Sequence, residues 1–375
     1  MTTTAPRTFG RGRLVAVQTA AACGLAAAAF GGPEGWALGA TGGATAVLAL
    51  LRVKGGWADA RFLKRLRRDA FAPPDARPAA ADLGLAAALL PALEVGEVTD
   101  RNGPAVGVLC DGRGYAAALA LPPGVLPALA AGTLADWLAG DPCRPAAVQL
   151  LVEQHGPPAW DFHRRFAPTL GYRQLPVVHR PVAVVSHLVL RYEPWDAPEV
   201  AQARGGGATG AHTALAAASA RLRARLARLD VPARPLDAAA LRDLLRRTGD
   251  PAGDGRALPD SWAGGHATHC ALAARVTGPG AWDRLLTALA GSGAERTVAA
   301  ATVTRGAEHP RVRTAVRLVS TAAQRCAEAR DRLLADGTAQ PLTDAQRAGV
   351  VATLPLAHPA RPLAAATGFT RETEL

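Results

Sequence analysis

Two uncharged runs open the chain. Residues 14–30 read LVAVQTAAACGLAAAAF and residues 36–51 read WALGATGGATAVLALL; between them GGPEG carries one acid. Each run approaches the short limit of about 17 residues for a membrane-crossing helix. The pattern predicts a tight hairpin of two N-terminal transmembrane helices over 14–53, with Trp36 at the far interface. Small residues recur at every fourth position: Ala20, Gly24 and Ala28 in the first run, Gly35, Gly39 and Gly43 in the second. Such faces let helix backbones approach closely, either each other or a partner's helices. The next stretch, 54–82, sets Trp57, Phe62, Leu63 and Leu66 near one helical face and then becomes Pro-rich, which predicts a juxtamembrane helix and a linker.

From residue 83 the period shortens. Apolar positions alternate at Val106–Cys110, Tyr115–Leu121, Ala147–Val152, Val182–Arg191, His269–Val276, Thr297–Thr304 and Val312–Ser320, as strands do. DGRG, residues 111–114, predicts a hairpin turn between the first two, with Asp111 and Gly112 in it. Helical spacing falls at about 125–139, 212–229, 237–247, 281–290, 321–335 and 343–350. The irregular alternation predicts an α/β or α+β cytosolic domain over 83–357, a mixed sheet with flanking helices. Residues 1–13 read as a cytosolic N-terminal tail and 358–375 as a flexible one. No internal repeat is evident, only a weak division near residue 230 with similar β-rich material on either side.

Charge fixes the expected orientation. Residues 1–70 hold ten basic and three acidic side chains, most of the net charge of +11. Arg7, Arg11 and Arg13 precede the first run; Arg52, Lys54 and the cluster Arg61, Lys64, Arg65, Arg67 and Arg68 follow the second. Basic flanks stay inside, so both termini are expected in the cytoplasm, with the protein in the cell membrane through two helices. The cluster suits an anionic lipid surface. A cleaved signal peptide competes with this reading, but the basic stretch closing the second run argues against release. A buried hairpin in a soluble core is the other competitor. The Arg residues of the remaining chain read as a solvated surface rather than a nucleic-acid face. Five widely spaced cysteines with no CxxC offer no disulfide framework or zinc site.

Candidate chemistry is thin. Gly205-Gly206-Gly207-Ala208-Thr209-Gly210 satisfies G-x-G-x-x-G, and Asp230 lies 20 residues beyond it. The strand nearest upstream ends near Tyr192, too far to feed a dinucleotide turn. The Gly run, with Arg204 before it, reads as a joint opening the next helix, with Thr209 as its cap. His269 and Cys270 would point to opposite faces of a strand, which excludes one shared metal. Ser186-His187 lacks a nucleophile elbow. No catalytic, cofactor-binding or metal residue is assigned and no cofactor is expected.

VGVLCDGRGYAAALAL (106–121), HLVLRYEPWDAPEVAQARGGGATGAHTALAAASARLRARL (187–226), DSWAGGHATHCALAARV (260–276) and TDAQRAGVVATLPL (343–356), in this order behind two short spans, resemble the EccE component of the actinobacterial type VII (ESX) secretion system. A shortened Trp/Gly stretch at 262–265 departs from the family pattern. The resemblance implies a non-enzymatic structural membrane subunit beside ATPase and channel-forming subunits, with a glycosyltransferase-like cytosolic fold lacking the catalytic groups. It implies other secretion membrane subunits and membrane lipid as partners, and neither nucleic acid nor a small-molecule substrate. A membrane-tethered glycosyltransferase-like enzyme facing the cytosol is the alternative; it calls for a clustered acid pair after a strand.

Overall fold

The computed structural model describes residues 11–53, 56–57, 81–99, 103–124, 129, 131–156, 183–276, 280–305, 311–343 and 345–358. Arg61, Lys64, Arg65, Arg67 and Arg68, most of the linker and the tail beyond His358 lie outside them. The chain divides into two compact units, Met1–Asp75 with Ala360–Glu374, and Ala76–Pro359.

In the first unit the uncharged runs form helices α1 (Arg11–Phe30) and α2 (Gly32–Leu50). The chain reverses at Gly31 and Gly32, whose φ of 60° and 59° other residues adopt only at a cost. A Cβ at Gly35 would meet the Ala27 carbonyl oxygen at 2.7 Å, and one at Gly42 the Cys23 Cβ at 2.9 Å and the Ala20 oxygen at 3.0 Å. Backbone thus packs on backbone. A short ladder, β1 (Arg52–Val53) with β2 (Gly56–Trp57), follows.

The expectation of two transmembrane helices needs correcting. Among the described residues no helix is long and apolar enough to cross a membrane. The apolar runs are diluted: α1 takes Arg11 and Arg13 into its first turn, and α2 takes in Pro33, Glu34 and a Gly/Thr-rich middle.

The second unit is built on one twelve-stranded sheet. Its first half contains a short α3 (Leu85–Leu89), β3 (Glu94–Thr99), β4 (Ala105–Cys110), β5 (Tyr115–Ala120), α4 (Ala131–Gly140), β6 (Ala147–His155), β7 (Ala183–Tyr192), α5 (Pro198–Gln202), α6 (Gly207–Ala227), β8 (Arg234–Pro235) and α7 (Ala238–Thr248). The second contains β9 (Gly255–Ala257), β10 (Trp262–Gly264), β11 (Thr268–Ala274), α8 (Ala281–Gly291), β12 (Arg296–Thr304), β13 (Arg311–Ser320), α9 (Ala323–Ala335), β14 (Gln340–Pro341) and α10 (Gln346–Ala352). Every strand pairing is antiparallel, so the sheet is not mixed.

The strand order β3-β4-β5-β7-β6-β12-β13-β11-β10-β9 reads alike from both ends. Each half contains, in order, a three-strand meander, a helix, two strands, a helix, a two-residue strand and a final helix, the first half adding α3 before its meander and α5 before α6. β8 pairs with β5 through Leu119 and Pro235, and β14 with β11 through Leu272 and Pro341. β6 and β12 meet about Leu151 and Ala300, where the halves join. The unit is therefore an internal repeat. Its traces in sequence are Leu138-Ala139-Gly140 closing α4 against Leu289-Ala290-Gly291 closing α8, and Pro235-Leu236 against Pro341-Leu342.

Helices cover both faces. The larger core packs α4, α6, α8 and α9 on Val148, Leu150, Leu188, Leu190, Leu272 and Leu318; the smaller one places α3, α7 and α10 against Leu109, Ala116 and Val189. In α7, Leu241, Leu244 and Leu245 are buried at i, i+3 and i+4 while Asp237 caps the start, accepting from Ala240 N at 2.8 Å.

Candidate functional site

On the sheet face under α7, charged side chains are buried where an apolar core would be expected. Arg317 on β13 is fully buried, and Arg296 on β12 is half-buried. Both reach across the repeat to α7. Arg296 donates to the carbonyls of Arg247 and Gly249, and Arg317 to that of Thr248. These carbonyls end the helix and carry its negative dipole, so cations from the second half complete a helix of the first. Glu153 on β6 sits fully buried beneath them, 3.6 Å from the Arg247 guanidinium. Burial pushes its carboxyl up, against the pull of Arg247, Arg296 and Arg317. Burial likewise drives Arg317 down to about 9, helped by Arg296.

Asp250, just past α7, organises the neighbouring loop. Its carboxylate accepts from Ala252 N at 2.9 Å and Ala267 N at 3.2 Å, and meets His269 Nε2 at 3.3 Å. Burial raises its pKa, but these hydrogen bonds outweigh it and hold the carboxyl below its ordinary value. Burial drives His269 down to about 4. The residues that follow the shortened Trp/Gly stretch are thus tied to Asp250, and Trp262 is buried in the α7 core.

The β4–β5 turn is a second charged node. Asp111 Oδ1 accepts from Arg113 N and Gly114 N, at 3.0 and 2.9 Å, and Gly112 supplies φ 79°. The carboxylate also receives Arg191 from β7: Nη1 lies 3.0 Å from Oδ2 and Nη2 3.2 Å from Oδ1. Glu193 takes the Arg191 Nε at 2.9 Å and the Leu356 carbonyl takes Nη1 at 3.3 Å. Burial opposes its charge, but the two carboxylates raise the Arg191 pKa overall. This node ties turn, strand and the C-terminal end of the unit together.

The Gly joint holds backbone. Gly205, Gly206 and Gly207 take φ 101°, 74° and 54°, and Arg204 Nη1 donates to the Val200 carbonyl at 2.9 Å. Gly206, not Thr209, is the N-cap position, because α6 begins at Gly207, ahead of the 212–229 that its apolar spacing suggests. Asp230 follows α6, not a strand.

In the hairpin, Gly39 lies against Ala27, its added Cβ at 3.5 Å; Gly24 and Gly43 face open space, Ala28 and Trp36 are exposed, and Ala20 is half-buried. A groove of about 540 Å³ runs between α4 and α6, lined by Trp137, Asp141, Arg221, Arg225 and Arg228. Arg221 is spent there on Asp141, with two contacts of 2.8 Å. Among the described residues no group of three or more His, Cys, Asp or Glu could hold a metal.

The sequence treats its later Arg residues as surface; Arg191, Arg296 and Arg317 overturn that. The available signal is an Arg inside an apolar strand run, LVLRY and AVRLV.

The buried charges thus join elements of a repeated antiparallel sheet. The match to known families falls on this clamp. Residues 182–274 match the EccE family model, described as "Putative type VII ESX secretion system translocon, EccE", which supports an EccE component. The matched span runs from β7 through α6 and α7 to β11, and so contains Arg191, Arg247, Asp250 and His269. The words at 187–226 and most of 260–276 fall inside it; those at 106–121 and 343–356 fall outside. No curated protein matches the chain.

Proposed function

We propose that this protein is a non-enzymatic structural subunit of a type VII secretion membrane complex, held to its neighbours by the N-terminal hairpin. One observation beyond the family match carries the reading. Among the described residues, seven of the eleven large exposed hydrophobic side chains lie in the hairpin and the residue that ends it: Val15, Leu25, Phe30, Trp36, Val47, Leu50 and Leu51. A surface so apolar requires a cover. Thr41 and Thr45 donate their hydroxyls to the carbonyls one turn back, at 2.8 Å each, so they ask nothing of their surroundings. A helix pair too dilute to form two lone spans suits packing among the helices of other membrane subunits, with lipid filling the remainder.

In this reading both termini face the cytoplasm, as the basic flanks imply, and Arg61, Lys64, Arg65, Arg67 and Arg68 meet anionic headgroups. The domain boundaries follow: hairpin 14–53, basic segment and linker 54–82, EccE-like domain 83–357. No observation favours the glycosyltransferase-like alternative.

The test is co-purification from mildly solubilised membranes of the native host. The full chain should bring down the secretion ATPase and channel subunits. A chain lacking residues 11–51 should be made at normal levels and bring down neither. Equal recovery by both would refute the role of the hairpin, and no recovery by the full chain would refute membership of the complex.

A further inference from the structure

Two cysteines that play no part in the clamp meet inside the second half of the repeat. Cys270 lies on β11, and strand alternation turns it away from the His269 face toward α9. Cys326 is the fourth residue of α9. Both are buried, and their sulfurs stand 3.0 Å apart with the Cys326 thiol donating to Cys270 Sγ. A disulfide needs about 2.05 Å, so closure asks for a shift of only about 1 Å. The hydrogen bond from Cys326 holds the Cys270 thiol below its ordinary value, while the same bond and burial raise that of Cys326. Cys270 is thus the attacking sulfur and Cys326 the resolving one. Cys23, Cys110 and Cys143 are likewise free thiols.

We propose that Cys270 and Cys326 form an oxidation site, closing to a disulfide that staples α9 to β11 when the protein meets a peroxide. Cys270 Sγ, as thiolate, attacks one peroxide oxygen; the O–O bond breaks and hydroxide leaves, becoming water with the proton Cys270 gave up. Cys326 Sγ then attacks the Cys270 sulfenic sulfur, the S–O bond breaks, and the departing hydroxide takes the Cys326 proton as a second water. Two thiols lose two electrons in all and the peroxide gains them. The bond closes a loop whose ends are 56 residues apart, which restrains the unfolded chain and stabilises the second half.

The test uses the full chain, reduced, freed of reductant and titrated with hydrogen peroxide to one equivalent. After denaturation, alkylation with N-ethylmaleimide and intact-mass measurement, reactive thiols should fall from five to three, with a peptide linking 270 to 326. Dithiothreitol should restore five, and Tm should rise by several degrees on oxidation in the wild type but not in Cys270→Ala. The triple variant Cys23→Ser, Cys110→Ser, Cys143→Ala keeps the pair alone and should pass from two thiols to none. Five thiols after oxidation, a linkage through any other cysteine, or sulfonic acid without a crosslink would each overturn the proposal.

Discussion

Arg317 concentrates the energetics of the fold in one side chain. A buried guanidinium is costly unless it is held, and here the Thr248 carbonyl and nearby Glu153 hold it. Arg317→Met should destabilise by about 1–3 kcal/mol in urea unfolding, the cost of leaving the buried Thr248 carbonyl without its donor. Asp111→Ala should cost about 3–5 kcal/mol by breaking its buried pair with Arg191, which keeps only Glu193 and the Leu356 carbonyl. Buried histidines set the pH response. His187 and His269 both fall to about 4 in the folded protein, from 6.5 when unfolded. Below pH 6.5 the unfolded chain therefore binds protons that the folded one refuses. Stability should fall as pH drops from about 6.5 toward 4, and the slope of Tm against pH should flatten in His269→Gln. A wild-type slope unchanged by that variant would contradict the assignment.

At the scale of elements, glycine geometry separates internal packing from contact with other chains. Gly42→Leu should drive α1 and α2 apart, since even a Cβ meets Cys23 at 2.9 Å. Gly24→Leu with Gly43→Leu should leave the hairpin intact, because both positions face open space, and should act only on a partner. Helical content and crosslinking of α1 to α2 distinguish the two. In the joint, Gly206→Val should cost about 1 kcal/mol or more, through φ 74° and not through any lost ligand. Much of this layer is legible in the chain. The alternating runs at 106–110, 115–121, 297–304 and 312–320 lie on β4, β5, β12 and β13, and the Leu spacing of 212–229 lies in α6. Two-residue strands such as β8 and β14 show no period, so nothing marks them before the sheet assembles. Arg191 and Arg317 escape for another reason: an Arg on a strand looks the same facing water or a helix end.

The whole molecule shows what the chain conceals most. Its repeat is plain in the strand order, yet survives in sequence only as LAG against LAG and Pro-Leu against Pro-Leu. Topology needs only the apolar face of each strand, so the two halves share a strand order with little shared sequence, and an asymmetric clamp joins them. Arg296 and Arg317 of the second half hold α7 of the first, and the EccE match spans the receiving side of that clamp. In the proposed function the apolar hairpin is what holds the chain in an assembly. The most direct measurement is native-gel migration of the secretion complex from membranes carrying either the wild-type chain or Gly24→Leu/Gly43→Leu. The wild type should migrate with the complex, and the variant should leave it while still folded and membrane-associated. A variant that stays in a complex of unchanged size would contradict the account and move the assembly contacts to the sheet domain.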